Sequence, residues 1–237
     1  MTDHNTHWRM PAAYLKLILQ VADTAEIPPA PLLAGTGLSA ERLRQSDRAV
    51  AFEDTLRVLR NAERLFGPGW HLELGQRLTI TAHGPLGFAV VTAPDLRTAV
   101  DVLLRYMGTR APFLWSAGAI EGDQFVFRFF DAVDMGDQRR TLIELAALSL
   151  QALIERPLGH EIARARLSFA YSRPPYGEAL AQAFHAELDY EARHHSLRLP
   201  AAWLDRPCAL HDEAMHRYLL GRCEEELTAT AGGLPTE

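Results

Sequence analysis

Thr81–Met107, TAHGPLGFAVVTAPDLRTAVDVLLRYM, is the stretch on which the reading of this chain turns. It holds two short apolar pieces set apart by breakers. His83-Gly84-Pro85 and Gly87 make a tight corner, because glycine accepts backbone angles that other residues avoid and proline presets its own. Ala93-Pro94-Asp95 is a second stop, since the residue before a proline is pushed out of helical geometry. Thr92 or Asp95 is then placed to cap the helix that follows. In that helix Leu96, Ala99, Val100, Leu103, Leu104 and Met107 recur at helical steps and form one apolar stripe, while Asp101 and Arg105 can pair on another face. On residue physics alone this is a packed corner of chain at the centre of a core.

The totals set the frame. At 237 residues the chain has room for one generous domain or two small ones. It is 48% apolar and 23% charged, an ordinary globular balance. Lys and Arg number 24 against 30 Asp and Glu, a formal charge of −6, which speaks against nucleic-acid binding by this chain itself. Cys208 and Cys223 are the only cysteines and give no disulfide framework, which fits a reducing compartment. MTDHNTHWRMPAAY does not read as a secretory leader, and the apolar runs fall short of the roughly 18 residues of a membrane span. These features predict a soluble, cytoplasmic protein with no membrane partner.

Outward from the central stretch, residues 10–107 read as mainly helical. Met10–Ala25 and Phe52–Phe66 each carry one apolar face, the latter ended by Gly67-Pro68-Gly69. Leu32–Gly37 reads as a helical turn, and Ser39 as an N-cap lacking a capping box. Trp70–Leu78 is open between strand and helix. The character changes in residues 108–210. Phe113–Ser116 and Gln124–Phe130 read as a hairpin, with Phe125, Phe127 and Phe129 on one face and Val126, Arg128 and Phe130 on the other. A long helix over Arg139–Ile154 is expected to stop before Pro157. Strands follow near Ala163–Phe169, Leu188–Ala192 and Ser196–Leu199, with a short helix over Tyr176–Phe184 and a last helix over His211–Thr228. The expectation is an α+β fold: a helical first half packed on an antiparallel or mixed ββαβαββ sheet, closed by a C-terminal helix.

Most catalytic templates fail. There is no GxSxG elbow, no GxGxxG after a strand and no phosphate-loop lysine, Lys16 being the only lysine. His160-Glu161 begins like a zinc helix, but Arg164 stands where the second histidine belongs. His211 and His216 fall on different helix faces, and His194 and His195 point to opposite sides of a strand. No catalytic residue, metal ligand or cofactor is assigned. His83, beside its glycines, is the most suggestive histidine, with a turn histidine bonded to backbone as the plain alternative to haem ligation. Cys223 reads as a small buried apolar residue. The aromatic group around the hairpin is either core packing or the wall of an apolar pocket, with Arg128 or Arg110 offering a fork to a carboxylate. Tyr106, Arg110, Trp115, Phe127 and Arg128 are the candidate ligand-binding residues.

The HGPLG corner, its small apolar run, the proline break and the AVDVLLRY helix resemble the signature of AraC/XylS-type regulators with an arabinose-binding-like N-terminal domain. Spaced pieces of the C-terminal third agree: Leu167-Ser168-Phe169, Arg173-Pro174-Pro175-Tyr176, Ala183–Tyr190, His195–Pro200 and Trp203-Leu204-Asp205-Arg206-Pro207. The resemblance covers residues 10–228 and implies one effector-binding regulatory domain, with 211–228 leading on. Family members continue into two helix-turn-helix motifs, whereas this chain stops at Gly232-Gly233-Leu234-Pro235-Thr236-Glu237, so DNA is expected to be reached only through a C-terminal domain missing from this chain. The family's sugar is inherited from a founding member with a different, jelly-roll domain, and no sugar residue is carried over. The expected ligand is a small organic effector, apolar or carboxylated, held between the helical half and the sheet in a homodimer. A ligand-free oligomerisation module and an enzyme of unrecognised type are the competing readings.

Overall fold

A computed structural model describes residues 8–46 and 48–231. The first seven residues, read above for a leader, and the Gly232–Glu237 tail lie outside the described residues. Two short strands, β1 (Arg9–Met10) and β2 (Val50–Ala51), pair antiparallel and clasp the start of α1 (Ala12–Thr24) to the start of α4 (Phe52–Phe66). Strands of two residues carry no periodicity, and the sequence reading does not contain them. Between them lie α2 (Pro29–Leu32), with proline in its first turn, and α3 (Ala40–Gln45), where Ser39 Oγ accepts from the Arg42 amide at 3.3 Å as the cap reading expects. Buried Asn61 of α4 donates to the Leu32 and Ala34 carbonyls and so closes the end of α2.

The undecided stretch after Gly69 is helical: α5 (His71–Arg77). A Cβ built on its Gly75 would lie 2.2 Å from Leu148 Cδ1, so glycine here lets α5 approach the later helix closely. A 3-10 turn over Ile80–His83 leads into α6 (Gly84–Val91). Gly84 has φ +54°, a conformation that costs a side-chain-bearing residue energy. A Cβ on Gly87 would meet the Ile80 carbonyl oxygen at 2.2 Å. These two glycines therefore fold the 3-10 turn tightly against α6. Asp95, of the two candidates, caps α7 (Leu96–Tyr106) by accepting from the Thr98 amide at 2.8 Å; the Thr92 hydroxyl instead donates to the Phe88 carbonyl. The expected Asp101–Arg105 pairing gives way to a longer-range partner for Arg105, described below.

The five-stranded sheet has the order β3-β4-β7-β5-β6: β3 (Leu114–Glu121), β4 (Gln124–Asp131), β5 (Arg166–Ser168), β6 (Glu187–Asp189) and β7 (His195–Pro200). It is antiparallel except for β5 and β6, which run parallel across the helix α9 (Gly177–Ala183). Phe125, Phe127 and Phe129 are buried on the inner face, and the aromatic alternation of β4 reads as expected. α8 (Arg139–Leu158) runs through Pro157 rather than stopping before it. A proline in the last turn removes one hydrogen bond only, and Gly159 then ends the helix with a left-handed φ of +73°. The last helix, α10 (Glu213–Ala231), begins two residues later than expected, behind Asp212, whose carboxylate accepts from the Met215 amide. The architecture is the α+β arrangement read from the sequence: helices, ββαβαββ and a closing helix.

Candidate functional site

Helices from both parts of the chain line an apolar cavity of about 80 Å³. Its walls come from the inward stripes of α1, α4, α5, α6, α7 and α8, among them Leu15, Ile18, Leu59, Leu103, Leu142 and Leu153, with Phe113 just ahead of β3. No strand of the five-stranded sheet lines it, because Phe125, Phe127 and Phe129 fill the inner face of β4. At roughly 24 cal/mol per Å³, a void of about 80 Å³ costs the fold about 2 kcal/mol. It has more than the share of liquid volume of two waters, but walls of leucine offer water almost no partner.

Of the polar side chains in the lining, the Thr55 and Ser149 hydroxyls donate to the Ala51 and Leu145 carbonyls, and Tyr14, His83 and Arg110 form the polar end. The Tyr14 hydroxyl lies 3.1 Å from His83 Nδ1, tying α1 to the HGPLG corner. Burial, and after it the Arg110 charge, push the His83 imidazole down to about 4 from its usual 6.5, with the Leu78 carbonyl working weakly the other way. The ring is therefore neutral near pH 7, and burial raises the Tyr14 phenol, so that it keeps its proton. His83 Nε2 makes no well-formed hydrogen bond, and neither does the buried Arg110 Nε. The Arg110 side chain is only 13% exposed, and its Nη2 pairs with the Glu226 carboxylate on α10. It also lies along Gly84, where a Cβ would come within 2.9 Å of Nη2. The corner glycine thus makes room for the arginine as well as for the turn.

α10 is seated over the same region. Near its start, His211 Nδ1 meets the Thr92 carbonyl at 3.0 Å and His216 Nδ1 meets the Ala89 carbonyl at 2.9 Å, both at α6. Further along, Tyr106 donates to Glu224 at 2.8 Å, Arg105 pairs with the same carboxylate at 2.9 Å, and Arg110 pairs with Glu226. Leu219 and Cys223 face inward between these anchors. Burial pushes the Cys223 thiol, like that of Cys208, up to about 11, away from the thiolate range.

The five candidate ligand residues therefore separate. Arg110 lines the cavity, and Tyr106 stands beside it under α10. Phe127 is fully buried beneath the sheet. Trp115 is 53% exposed and stacks on Phe130 across the strand pair at 4.0 Å. Arg128 is on the sheet's outer face, bound to Glu121 at 2.5 Å, within a broad groove that also holds Arg164, Arg166, Arg193 and Arg198. Tyr14 and Glu226 are not singled out in the sequence, since each sits on an ordinary amphipathic helix. His83 is, and it meets the Tyr14 hydroxyl as well as the Leu78 backbone carbonyl. A second buried polar group was also not anticipated: Glu144 of α8, with His71 at 2.5 Å and the hydroxyls of Tyr171 and Tyr176. Among the described residues no cluster of three His, Cys, Asp or Glu side chains is arranged to hold a metal, and no helix is long and apolar enough to cross a membrane.

Comparison with known proteins agrees with this architecture. The ornithine utilization regulator of Pseudomonas aeruginosa is 25% identical over 216 residues, an alignment that takes in 91% of this chain and 64% of that protein. An uncharacterized HTH-type transcriptional regulator of Mycobacterium tuberculosis is 29% identical over 100 residues, 41% of this chain and 29% of its own length. This chain thus spans about two thirds or less of these relatives. The crystal structure of the transcriptional regulator CdpR from Pseudomonas aeruginosa shares the fold, with a TM-score of 0.66 at 15% identity over 93% of this chain and 66% of that one. Residues 27–208 match the sequence profile of the arabinose-binding domain of AraC transcription regulators, and the chain belongs to that N-terminal domain family.

Proposed function

We propose that residues 10–228 form one effector-sensing domain of an AraC-type transcription regulator, acting in the cytoplasm and reaching DNA through a separate helix-turn-helix domain. The observation that carries this reading is the leucine-walled cavity whose polar end is also the seat of α10. A small organic effector with an apolar body fits those walls better than a sugar, whose hydroxyls would lose water without finding partners. Occupation of the cavity would alter how α10 lies against α6 and α7, and only a ligand with different affinity for the two seatings would shift them. The reading assigns no catalytic role, since Cys208 and Cys223 are held as thiols and the buried Glu144 is committed to structural partners.

The test is a thermal-shift survey of organic acids, alcohols and amines on the purified protein, followed by repetition of any hit on an Ala146→Leu variant that fills the cavity. A saturable rise lost in the variant supports the reading. A panel without such a rise, or one unaffected by the variant, overturns it. The homodimer reading draws on a separate feature: Phe88, Leu210 and Tyr218 are exposed at 42, 49 and 64% on or near α6 and α10. Light scattering over a range of concentrations tests it, and a concentration-independent monomer mass refutes it.

A further inference from the structure

The cavity's polar end is more specific than its walls, and it points to a class of ligand. This inference rests on the effector-sensing reading above. Arg110 is a fixed cation whose guanidinium has five N–H donors in a planar fork. Glu226 engages Nη2, while Nε remains buried and unpartnered. A buried donor without an acceptor is costly, so a cavity ligand able to supply one is favoured there. The Tyr14–His83 pair adds another donor. With the phenol protonated and the imidazole neutral, the two groups carry one O–H and one N–H between them, and their mutual hydrogen bond consumes one. The other is the Tyr14 O–H when Nδ1 carries the proton, and otherwise the Nε2–H, which faces the Leu78 carbonyl without a well-formed bond and can turn to a better acceptor. The pole thus offers N–H or O–H groups and a positive charge, and the only carboxylate on it belongs, among the described contacts, to Glu226.

We propose that the cavity takes a monocarboxylate with an apolar body, whose carboxylate displaces Glu226 from Arg110, accepts the spare Tyr14–His83 proton as a hydrogen bond, and so unseats the last turns of α10. An amine would face the guanidinium, and a neutral hydrocarbon would leave the donors unanswered. Glu226, at 35% side-chain exposure, can return to water on leaving Arg110, so the exchange strands no buried charge. The body has to be flexible or the walls have to give, since about 80 Å³ is smaller than a small aromatic ring needs; Met10 and Met107 in the lining are the side chains suited to adjust. The consequence for α10 is local. Its first turns keep the His211 and His216 contacts to α6, while the segment from Glu224 onward loses its most buried ion pair.

The experiment compares hexanoate, octanoate and decanoate with hexanol, octanol and decanol by calorimetry on the intact chain, its Arg110→Met variant and its Glu226→Gln variant. Acids are expected to bind at least about tenfold tighter than the matched alcohols, a preference that Arg110→Met abolishes. Glu226→Gln removes the competing carboxylate and is expected to tighten acid binding severalfold while leaving alcohol binding unchanged. Amide exchange in residues 224–230 should accelerate when octanoate binds the unsubstituted chain. Acids and alcohols binding equally at the cavity would overturn the carboxylate inference and leave the effector reading standing. Binding of neither series would overturn the inference too, and the wider panel then decides the effector reading separately. If Arg110→Met fails to fold, Glu226→Gln alone decides: unchanged or weaker acid binding refutes the exchange.

Discussion

Replacing Glu144 by alanine tests whether the interior of α8 is held by a polar network or only by leucine packing. The Glu144 carboxylate is fully buried; His71 Nε2 lies 2.5 Å from Oε2, the Tyr171 hydroxyl donates to Oε1 at 2.5 Å and the Tyr176 hydroxyl to Oε2 at 3.1 Å. Removing the carboxylate strands His71, which is buried at 1% exposure and has no route to water. A stranded buried group costs about 1–3 kcal/mol. Tyr171 and Tyr176 are only partly buried and recover some of their loss by hydration, so the two together add about 1 kcal/mol. With the space left behind, Glu144→Ala should destabilise by about 4 kcal/mol, in the range for breaking a buried pair and a large part of the 5–15 kcal/mol a domain has. Glu144→Gln keeps one acceptor but turns an amide N–H towards donors, for a loss of about 2 kcal/mol. Urea unfolding followed by far-ultraviolet circular dichroism measures both, with the m-value checking that the unfolded state is unchanged. A loss below about 1 kcal/mol for Glu144→Ala at constant m would refute the network's role.

Three further outcomes follow from other parts of the fold. His83 and His195 are both held down to about 4, first by burial and then by Arg110 and Arg139 respectively. Because the unfolded chain takes up these protons nearer 6.5, their contribution is present above that pH and is lost as pH falls towards 4, by up to about 3 kcal/mol each; urea midpoints across this window should drop, and a flat profile would contradict the assignment. Gly87→Ala gains helix propensity of about 1 kcal/mol but drives a Cβ into the Ile80 carbonyl, so a net loss of about 2 kcal/mol is expected, read as a lowered Tm. Ala146→Leu fills the cavity and should raise stability by up to about 2 kcal/mol, scaled from the void it removes, with calorimetric unfolding as the check.

What the sequence reveals and what it hides divide along a physical line. α4 is legible to the residue because Leu56, Leu59 and Ala62 repeat at helical steps and Gly67 ends them. β4 is legible because QFVFRFF alternates, and Asp95 because a short acidic side chain stands just before an apolar stripe. Trp70, Leu72 and Leu74 sit at alternate positions that a strand and a short helix satisfy equally, so only packing against α8 settles α5. The site is the less legible part. Leu15, Leu59, Leu103 and Leu142 carry the same stripe whether they close a void or fill it. The residues that give the cavity its polarity meet across long separations: Tyr14 with His83 over 69 positions, and Arg110 with Glu226 over 116. Local pattern reports which face of a helix turns inward, but not which distant side chain it will meet there.

The seating of α10 decides whether the Arg110–Glu226 pair acts as a local latch or as part of a lever. Arg105 and Glu224 are 62 and 48% exposed, so their pair contributes at most about 1 kcal/mol. The neighbouring Tyr106 hydroxyl also grips Glu224, from a more sheltered position. If a bound acid frees only the Glu226 side chain, then Tyr106→Phe, which leaves Arg110 untouched, should not change affinity for octanoate. If binding lifts the last turns of the helix, linkage requires that anything weakening the seat also favours the ligand, by the same factor as the ligand weakens the seat. A lost tyrosine–carboxylate hydrogen bond of about 1 kcal/mol then corresponds to roughly fivefold tighter binding, with faster amide exchange over residues 224–230 in the free protein. The lever reading commits to the second result. Faster exchange without tighter binding would show that the helix end moves independently of the cavity, and the coupling would have to run through α6 and its histidine contacts instead.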